Sequence, residues 1–393
     1  MKKIAVIVKD HKTYVHAEEA WYHFHGKKKN SVLFVVIPEG DPNNVVETLN
    51  EIIDENLWEE VVWVKTKSNF RPRYLLLRRR SSKILKFYSK YREYLYNFLD
   101  VRKINNIASK YIGFYTVFSG HKNTQEHLAA RLKPKELYLI DSGNFNDKIN
   151  NSGYVDYSEK KIYRGSRVGR FLFKLTGLEL FNRDEVKLFT VYAGSLNTEH
   201  NTIKNNQDYK RKLICKKNIG DDVLFISSPI YTFAKGVTIS EYITYLEKIF
   251  DALDVDYSRV IYVPNPIREN DEDVEAITKA LGCTYDSRPI PVELKITKYD
   301  QLPRLCISPY STALVNIQEI SSNNISLYCA WHPEFDYFDQ LVKLRESQFE
   351  IEGNGINFFI VKDAPSLFKI NSTVNNGEVL YANFGEWNQK AEK

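Results

Sequence analysis

With 393 residues, 43% of them hydrophobic and 27% charged, the chain has the make-up of a globular protein and not of a disordered or fibrous one. Its length is more than one hydrophobic core commonly serves, so two domains are expected. The net charge of +5 is modest, and without a recognised binding motif nucleic acid is the weakest of the candidate partners.

The first element is a strand over 3–8. Its apolar run is only five residues long, short of the roughly 7–15 of a secretory h-region. No run reaches the ~18 apolar residues of a membrane span, so a cytoplasmic protein is expected. Further strands are expected over 31–37, 60–64, 111–118 and 136–141, with helices over 17–25, 45–55, 82–109 and 124–132. This β-α-β rhythm implies a mostly parallel sheet covered on both faces. An irregular zone covers 144–217. The rhythm then resumes, with strands over 223–227, 260–264, 304–308 and 325–329. Helices are expected over 239–253, 272–281, 312–319 and 336–346, and the tail after Gly353 has no clear pattern. Two Rossmann-like halves follow: an N-terminal domain over 1–195, a linker over 196–220 and a C-terminal domain over 221–393, whose tail has the option of packing back on the first. The absence of a GxGxxG fingerprint disfavours a dinucleotide dehydrogenase.

Basic residues crowd the stretch between Arg71 and Arg92, interleaved with aromatics such as Tyr74, Phe87 and Tyr91. A solvated helix face is one reading of that stretch. Contact with an anionic membrane surface is the other, since Lys and Arg with aromatics suit lipid headgroups. Cys215, Cys283, Cys306 and Cys329 lack metal-ligand spacing and read as reduced core thiols. His11, His16, His23 and His25, with Glu18 and Glu19, form no closed tetrahedral set, so surface histidines and no metal are expected.

Ligands of open α/β sheets sit outside the carboxyl ends of the strands, and three strand ends carry unusual polar residues. The first runs from an apolar strand into Asp141, Ser142, Gly143 and Asn144, offering either a general base or a turn-forming Asp. In the second, Pro264 and Pro266 flank Asn265 and favour an extended loop; Asn265 then presents a donor to phosphate, or the loop is a rigid turn before an N-cap at Asn270 or Asp271. In the third, Ser308 is followed by Ser311 and Thr312 at the start of a helix, which suits either phosphate binding or plain N-capping. Glu293, inside an apolar run, suits ribose hydroxyls or a loop surface, because an unpaired carboxylate in such surroundings is costly.

Order and spacing join these signals. The sequence resembles the bacterial GT-B sialyltransferases, in particular glycosyltransferase family 52 and the bacterial polysialyltransferases. Asp141-Ser142-Gly143 looks like their acidic-acidic-Gly motif, Asn265-Pro266 like their His-Pro motif and Ser311-Thr312 like their Ser-Ser/Thr motif. The likeness extends from about Lys3 to about Leu327. It implies an α/β fold of the GT-B class, two Rossmann-like domains with mostly parallel sheets facing across a cleft. It also implies inverting, metal-independent transfer of sialic acid or a related acid, such as Kdo, legionaminic or pseudaminic acid. The CMP-activated acidic sugar is a co-substrate and no cofactor is implied. The acceptor is a hydroxyl of a cell-surface glycan or glycolipid. Asp141 would be the base and Asn265 the leaving-group contact. Pro266, Ser308, Ser311 and Thr312 would line the donor phosphate, Glu293 would hold the ribose, and Ser142, Gly143 and Asn144 would sit on the acceptor side. Related enzymes include dimers, so a homodimer is one expected form.

Two departures from the family pattern stand out. Ser142 replaces the second acidic residue, and Asn265 replaces a His that can supply a proton, which an Asn amide cannot. The literal His332-Pro333 falls after the Ser-Thr motif and reads as structural, with a catalytic substitute as the lesser reading. The rival functions are a nucleotide-sugar epimerase of the same two-domain fold and a non-catalytic homologue that binds a CMP-sugar or glycan.

Overall fold

The computed structural model describes residues 2–39, 45–67, 83–120, 123–140, 186–191, 202–232, 237–265, 268–322, 324–337, 341–342, 345–346 and 355–362, together with 175, 177, 179 and 193; side chains of 83–94 and 123 are outside that description. The chain divides into two compact units, Met1–Tyr209 and Lys210–Lys393.

The first unit is built on β1 (Lys3–Val8), β2 (Ser31–Pro38), β3 (Glu60–Thr66), β4 (Phe114–Ser119), β5 (Glu136–Ile140), β6 (Val186–Thr190) and β7 (Thr202–Lys204). They form one sheet in the order β3-β2-β1-β4-β5-β6-β7, and every pairing within it is parallel. β1 and β2 are buried almost end to end because helices cover both faces, which is why their sequences are continuous apolar runs without alternation. Phe34, Val36, Val64, Val117, Leu139 and Leu188 meet in one apolar cluster that ties four of the strands and β6 to the covering helices. Those helices include α1 (His11–His23), α2 (Val45–Ile52), α3 (Lys83–Ala108) and α4 (Asn123–Leu132).

Several elements depart from the sequence-based expectation. α1 starts at His11 and not at 17, because Asp10 closes a capping box: its carboxylate accepts from the Thr13 N–H at 2.9 Å, while the Thr13 hydroxyl meets the Asp10 N–H at 3.3 Å. The zone over 144–217 is not irregular throughout. It supplies β6 and β7, then α5 (Asp208–Ile214), which spans the division between the units.

The second unit contains β8 (Val223–Ile226), α6 (Ile239–Ala252), β9 (Val260–Val263), α7 (Asp271–Leu281), β10 (Thr284–Tyr285), α8 (Val292–Lys298), β11 (Leu305–Ser308), α9 (Ala313–Ser321), β12 (Ser326–Trp331) and β13 (Ile356–Ile360). Its strand order is β10-β9-β8-β11-β12-β13, again all parallel. β8 and β11, in the middle, are fully buried. Two sequence signals set helix ends: the Thr238 capping box with Glu241 starts α6, and Gly282, at φ 68°, ends α7 in the left-handed conformation that glycine accepts most easily.

The expected helix start at 336 falls within a 3-10 turn over Pro333–Tyr337; 341–342 and 345–346 are helical, and 338–340 and 343–344 lie outside the described residues. Asp336, which would have started that helix, instead accepts from Trp331 Nε1 at 3.2 Å and Arg345 Nη1 at 2.6 Å. The tail supplies β13, an edge strand registered from Leu327↔Ile356 to Trp331↔Ile360. Its outer side leaves Phe358 and Ile360 exposed. Both units are therefore parallel Rossmann-like α/β units, the content expected of the GT-B class. Among the described residues, no helix is long and apolar enough to cross a membrane.

Candidate functional site

Each sheet places its first strand centrally, with strands two and three to one side and the fourth to the other. Consecutive crossovers leave the first strand in opposite directions, so the loops after strands one and four part and leave a crevice at the carboxyl edge. In the second unit that switch point lies between β8 and β11.

β8 runs into Ser227, Ser228 and Pro229, and β11 ends on Ser308 before Pro309. Ser308 is fully buried and donates to the Ile226 carbonyl at 2.8 Å, locking the two strand ends together. Its oxygen lies 3.5 Å from the Ser228 hydroxyl and accepts from the Ser311 N–H at 3.3 Å. The Ser311 hydroxyl in turn accepts from the Ala313 N–H at 3.3 Å, so it caps α9. Thr312 occupies the cap position in helical conformation without a side-chain capping bond. Ser308, Ser311 and Thr312 are thus brought together at the start of a helix, with hydroxyls and a helix N-terminus in one place.

Glu293 is not on a loop surface. Pro291 precedes α8, and Glu293 stands in its first turn, half-buried, accepting from Asn316 Nδ2 at 2.7 Å. Asn316 lies in the early part of α9, and its buried Oδ1 has no protein partner. α8 and α9 therefore join at the crevice end through this pair.

The Asn265 loop follows β9, the neighbour of β8. The Asn265 N–H donates to Glu269 Oε2 at 2.7 Å, and the Asn265 carbonyl accepts from the Arg268 and Glu269 N–H groups at 3.1 Å each, which makes a tight turn. Glu269 Oε1 accepts from Tyr262 at 2.5 Å and Tyr231 at 3.2 Å. Tyr262 also meets Ser227 at 2.8 Å, and Ser227 lies 3.3 Å from the Tyr242 hydroxyl. Burial raises the Glu269 carboxyl above its ordinary range, against the pull of the hydroxyl and N–H donors. Burial likewise pushes Tyr231, Tyr242, Tyr262 and Tyr310 upward, so these phenols remain neutral donors. Asn270 N-caps α7, accepting from Asp273 N at 2.8 Å.

His332 is buried, its Nδ1 accepting from the Glu334 N–H at 3.1 Å and its ring packed against Tyr245 and Phe335. The four N-terminal histidines do not all sit at the surface: His16 is buried against Asn205. Glu18 and Glu19 are buried as well. Among the described residues, no three His, Cys, Asp or Glu side chains converge as metal ligands. Cys306 and Cys329 are core thiols and Cys283 is half-buried, while Cys215, just after the seven-residue α5, is exposed, contrary to expectation.

Asp141, Ser142, Gly143 and Asn144 lie outside the described residues, immediately after β5, as do Pro266 and the stretch from Arg71 to Arg80; the side chains up to Arg92 are outside them too. Ser227, Ser228, Glu269 and Asn316 escaped the sequence reading. The first two had a usable signal, because Ser-Ser-Pro after β8 repeats the Ser-Pro that follows β11. Glu269 had none, since Arg268-Glu269-Asn270-Asp271 reads as an ordinary polar surface run.

No family model and no curated protein sequence matches the chain. Solved structures similar in layout include UGT89C1 of Arabidopsis thaliana, at 7% identity over 94% of this chain and 88% of that one with a TM-score of 0.43. ADP-heptose lps heptosyltransferase II of E. coli is similar at 8% identity over 100% of both chains with a TM-score of 0.39. A UDP-glucosyltransferase from Polygonum tinctorium is similar at 10% identity over 100% and 94%, with a TM-score of 0.45.

Proposed function

We propose that the chain is a glycosyltransferase that moves sialic acid or a related acidic sugar from its CMP donor to a hydroxyl of a cell-surface glycan or glycolipid. The observation that carries this reading is the convergence of Ser308, Ser311 and Thr312 at the β8/β11 switch point, with Glu293 paired to Asn316 on the adjoining helices. A nucleoside monophosphate needs hydroxyl and N–H donors for its phosphate and a carboxylate for its ribose. This crevice offers both kinds of group.

In the reaction, the acceptor hydroxyl oxygen bonds to the anomeric carbon from the face opposite CMP. The bond from that carbon to the phosphate oxygen breaks, and CMP leaves with the electron pair. The acceptor proton passes to Asp141, giving inversion. Ser311, Thr312 and the start of α9 offset the charge gathering on the phosphate. Asn265 replaces a proton donor with an amide; CMP is a good leaving group, so hydrogen bonding suffices at that position. The chemistry requires no metal. The basic stretch between Arg71 and Arg92 would hold the enzyme near an anionic membrane carrying the acceptor.

The test is incubation with CMP-sialic acid, CMP-Kdo and UDP-GlcNAc, each with and without EDTA. Release of CMP from an acidic sugar, insensitive to EDTA and lost in Asp141→Ala, supports the reading. Epimerisation of UDP-GlcNAc, or stoichiometric CMP binding without turnover on any acceptor, overturns it.

A further inference from the structure

The cluster behind the Asn265 loop is more elaborate than a turn requires. Glu269 sits just beyond the carboxyl end of β9 and accepts from the Tyr262 and Tyr231 hydroxyls and the Asn265 N–H. An ionised carboxylate only accepts. Tyr262 must then donate its O–H to Glu269, which leaves its oxygen to accept from Ser227 at 2.8 Å; Ser227 can in turn accept from Tyr242 at 3.3 Å. The hydroxyls thus line up in one direction and end on the carboxylate. Ser227 is the first residue after β8, next to Ser228 and the switch point. A turn of this size needs one acceptor for the Asn265 N–H, whereas this carboxylate joins the 3-10 turn Ile230–Thr232, β9 and the Asn265 loop at once.

We infer that Glu269 is a positioning residue of the donor site, fixing the main chain at Asn265 and tying it through Tyr262 to Ser227 at the switch point. The inference rests on reading this crevice as a CMP-sugar site. Its consequence is that the amide facing the leaving group is held by an acid, not by packing alone. Protonating Glu269 removes one accepting lone pair and lets its new O–H donate to Tyr262, which reverses the hydroxyl chain and loosens the loop. The titratable neighbours facing Glu269 are Tyr231 from the turn after β8, Tyr242 from α6, Tyr262 from β9 and Tyr310 from the loop after β11, with Asp273 of α7 acting on Tyr231 and Arg268 on Tyr310. The tyrosines stay neutral and the guanidinium stays charged across the acid-to-neutral range. Glu269 is the buried carboxyl among these neighbours.

The experiment measures CMP release from CMP-sialic acid against pH for the wild-type protein, Glu269→Gln and Glu269→Ala, with CMP binding followed by calorimetry. Glu269→Ala is expected to lower kcat about 100-fold, the cost of a displaced contact group, with KM much less changed. Glu269→Gln, which like the protonated acid offers one accepting oxygen and one donating group, is expected to keep the loosened loop and a lowered rate at neutral pH. Its acid limb should move to lower pH, leaving only the limb set by the base Asp141. An acid limb unmoved in Glu269→Gln, or an unchanged kcat in folded Glu269→Ala, overturns the inference while leaving the donor site standing. Wild-type protein that binds no CMP overturns the donor site, and the inference with it. Should Glu269→Ala fail to fold, Glu269→Gln and Tyr262→Phe decide the matter, the latter by cutting the chain of hydroxyls without touching the carboxylate.

Discussion

The hydroxyl oxygens of Ser228 and Ser308 lie 3.5 Å apart although 80 positions separate them in sequence. They meet because β8 and β11 are parallel neighbours, registered from Leu305↔Val223 to Ile307↔Phe225. Each strand runs into a serine-proline step, Ser308 falling level with Ile226 and Ser228 two residues further on, and the two crossovers leave in opposite directions.

Ser308→Ala therefore removes more than one contact. The Ile226 carbonyl loses a donor and the Ser311 N–H loses an acceptor. Unfolding by urea should show a loss of about 1–3 kcal/mol, the cost of leaving buried polar groups unpaired. CMP affinity should fall about tenfold, equivalent to ~1.4 kcal/mol.

Asn316→Ala tests the other wall of the crevice. Glu293 loses the amide that orients it. A further loss of about tenfold in CMP affinity is expected, ~1.4 kcal/mol, with little effect on 5′-phosphate analogues that lack the ribose diol. Calorimetry with CMP and its 2′,3′-dideoxy analogue separates the two cases.

Stability should depend on pH in opposite senses at two carboxylates. Glu269 has a folded-state value above the ordinary 4.5 because it is buried. The folded protein then holds its proton more tightly than the unfolded chain. Its contribution is greatest below 4.5 and declines as pH rises through the folded value. Glu269→Gln should flatten that part of a melting-temperature curve. For Asp10, burial works to raise the value, but Lys9, the Thr13 N–H and the nearby His11 and Lys12 outweigh it and hold the carboxyl well below 3.8. Its contribution is present above 3.8 and is lost as pH falls. Asp10→Ala should cost about 1 kcal/mol at neutral pH, as loss of an N-cap does, and should lessen acid sensitivity.

How much of this was legible in the sequence depended on the range of the interactions. β1, β2, β8 and β11 announced themselves because strands buried on both faces are unbroken apolar runs. Asn270 announced a helix start because capping is a local interaction between residues three apart. β6 and β7 were hidden by polar surroundings, and β13 by its position at a half-exposed edge, where burial dictates little. Ser311 and Thr312 were visible as hydroxyls opening a helix. Their meeting with Ser228 was not, because strand order is a property of the whole sheet. Glu269 was least legible of all: nothing in Arg268-Glu269-Asn270 says that tyrosines from three other elements will close over it.

A basic segment between Arg71 and Arg92 that contacts membrane should bind vesicles containing anionic lipid and not neutral ones. Replacing Arg78, Arg79 and Arg80 with Ala should weaken that binding by about 3 kcal/mol in total, at roughly 1 kcal/mol per charge near the surface. Co-sedimentation with phosphatidylserine vesicles at two salt concentrations checks it.

The most direct test is calorimetric titration of CMP into the wild-type protein and into Ser311→Ala/Thr312→Ala. The account predicts one site in the wild type and an affinity at least tenfold lower in the double variant, ~1.4 kcal/mol or more. A nucleotide bound equally well by both proteins would mean that it sits elsewhere, and the start of α9 would then be an ordinary capped helix.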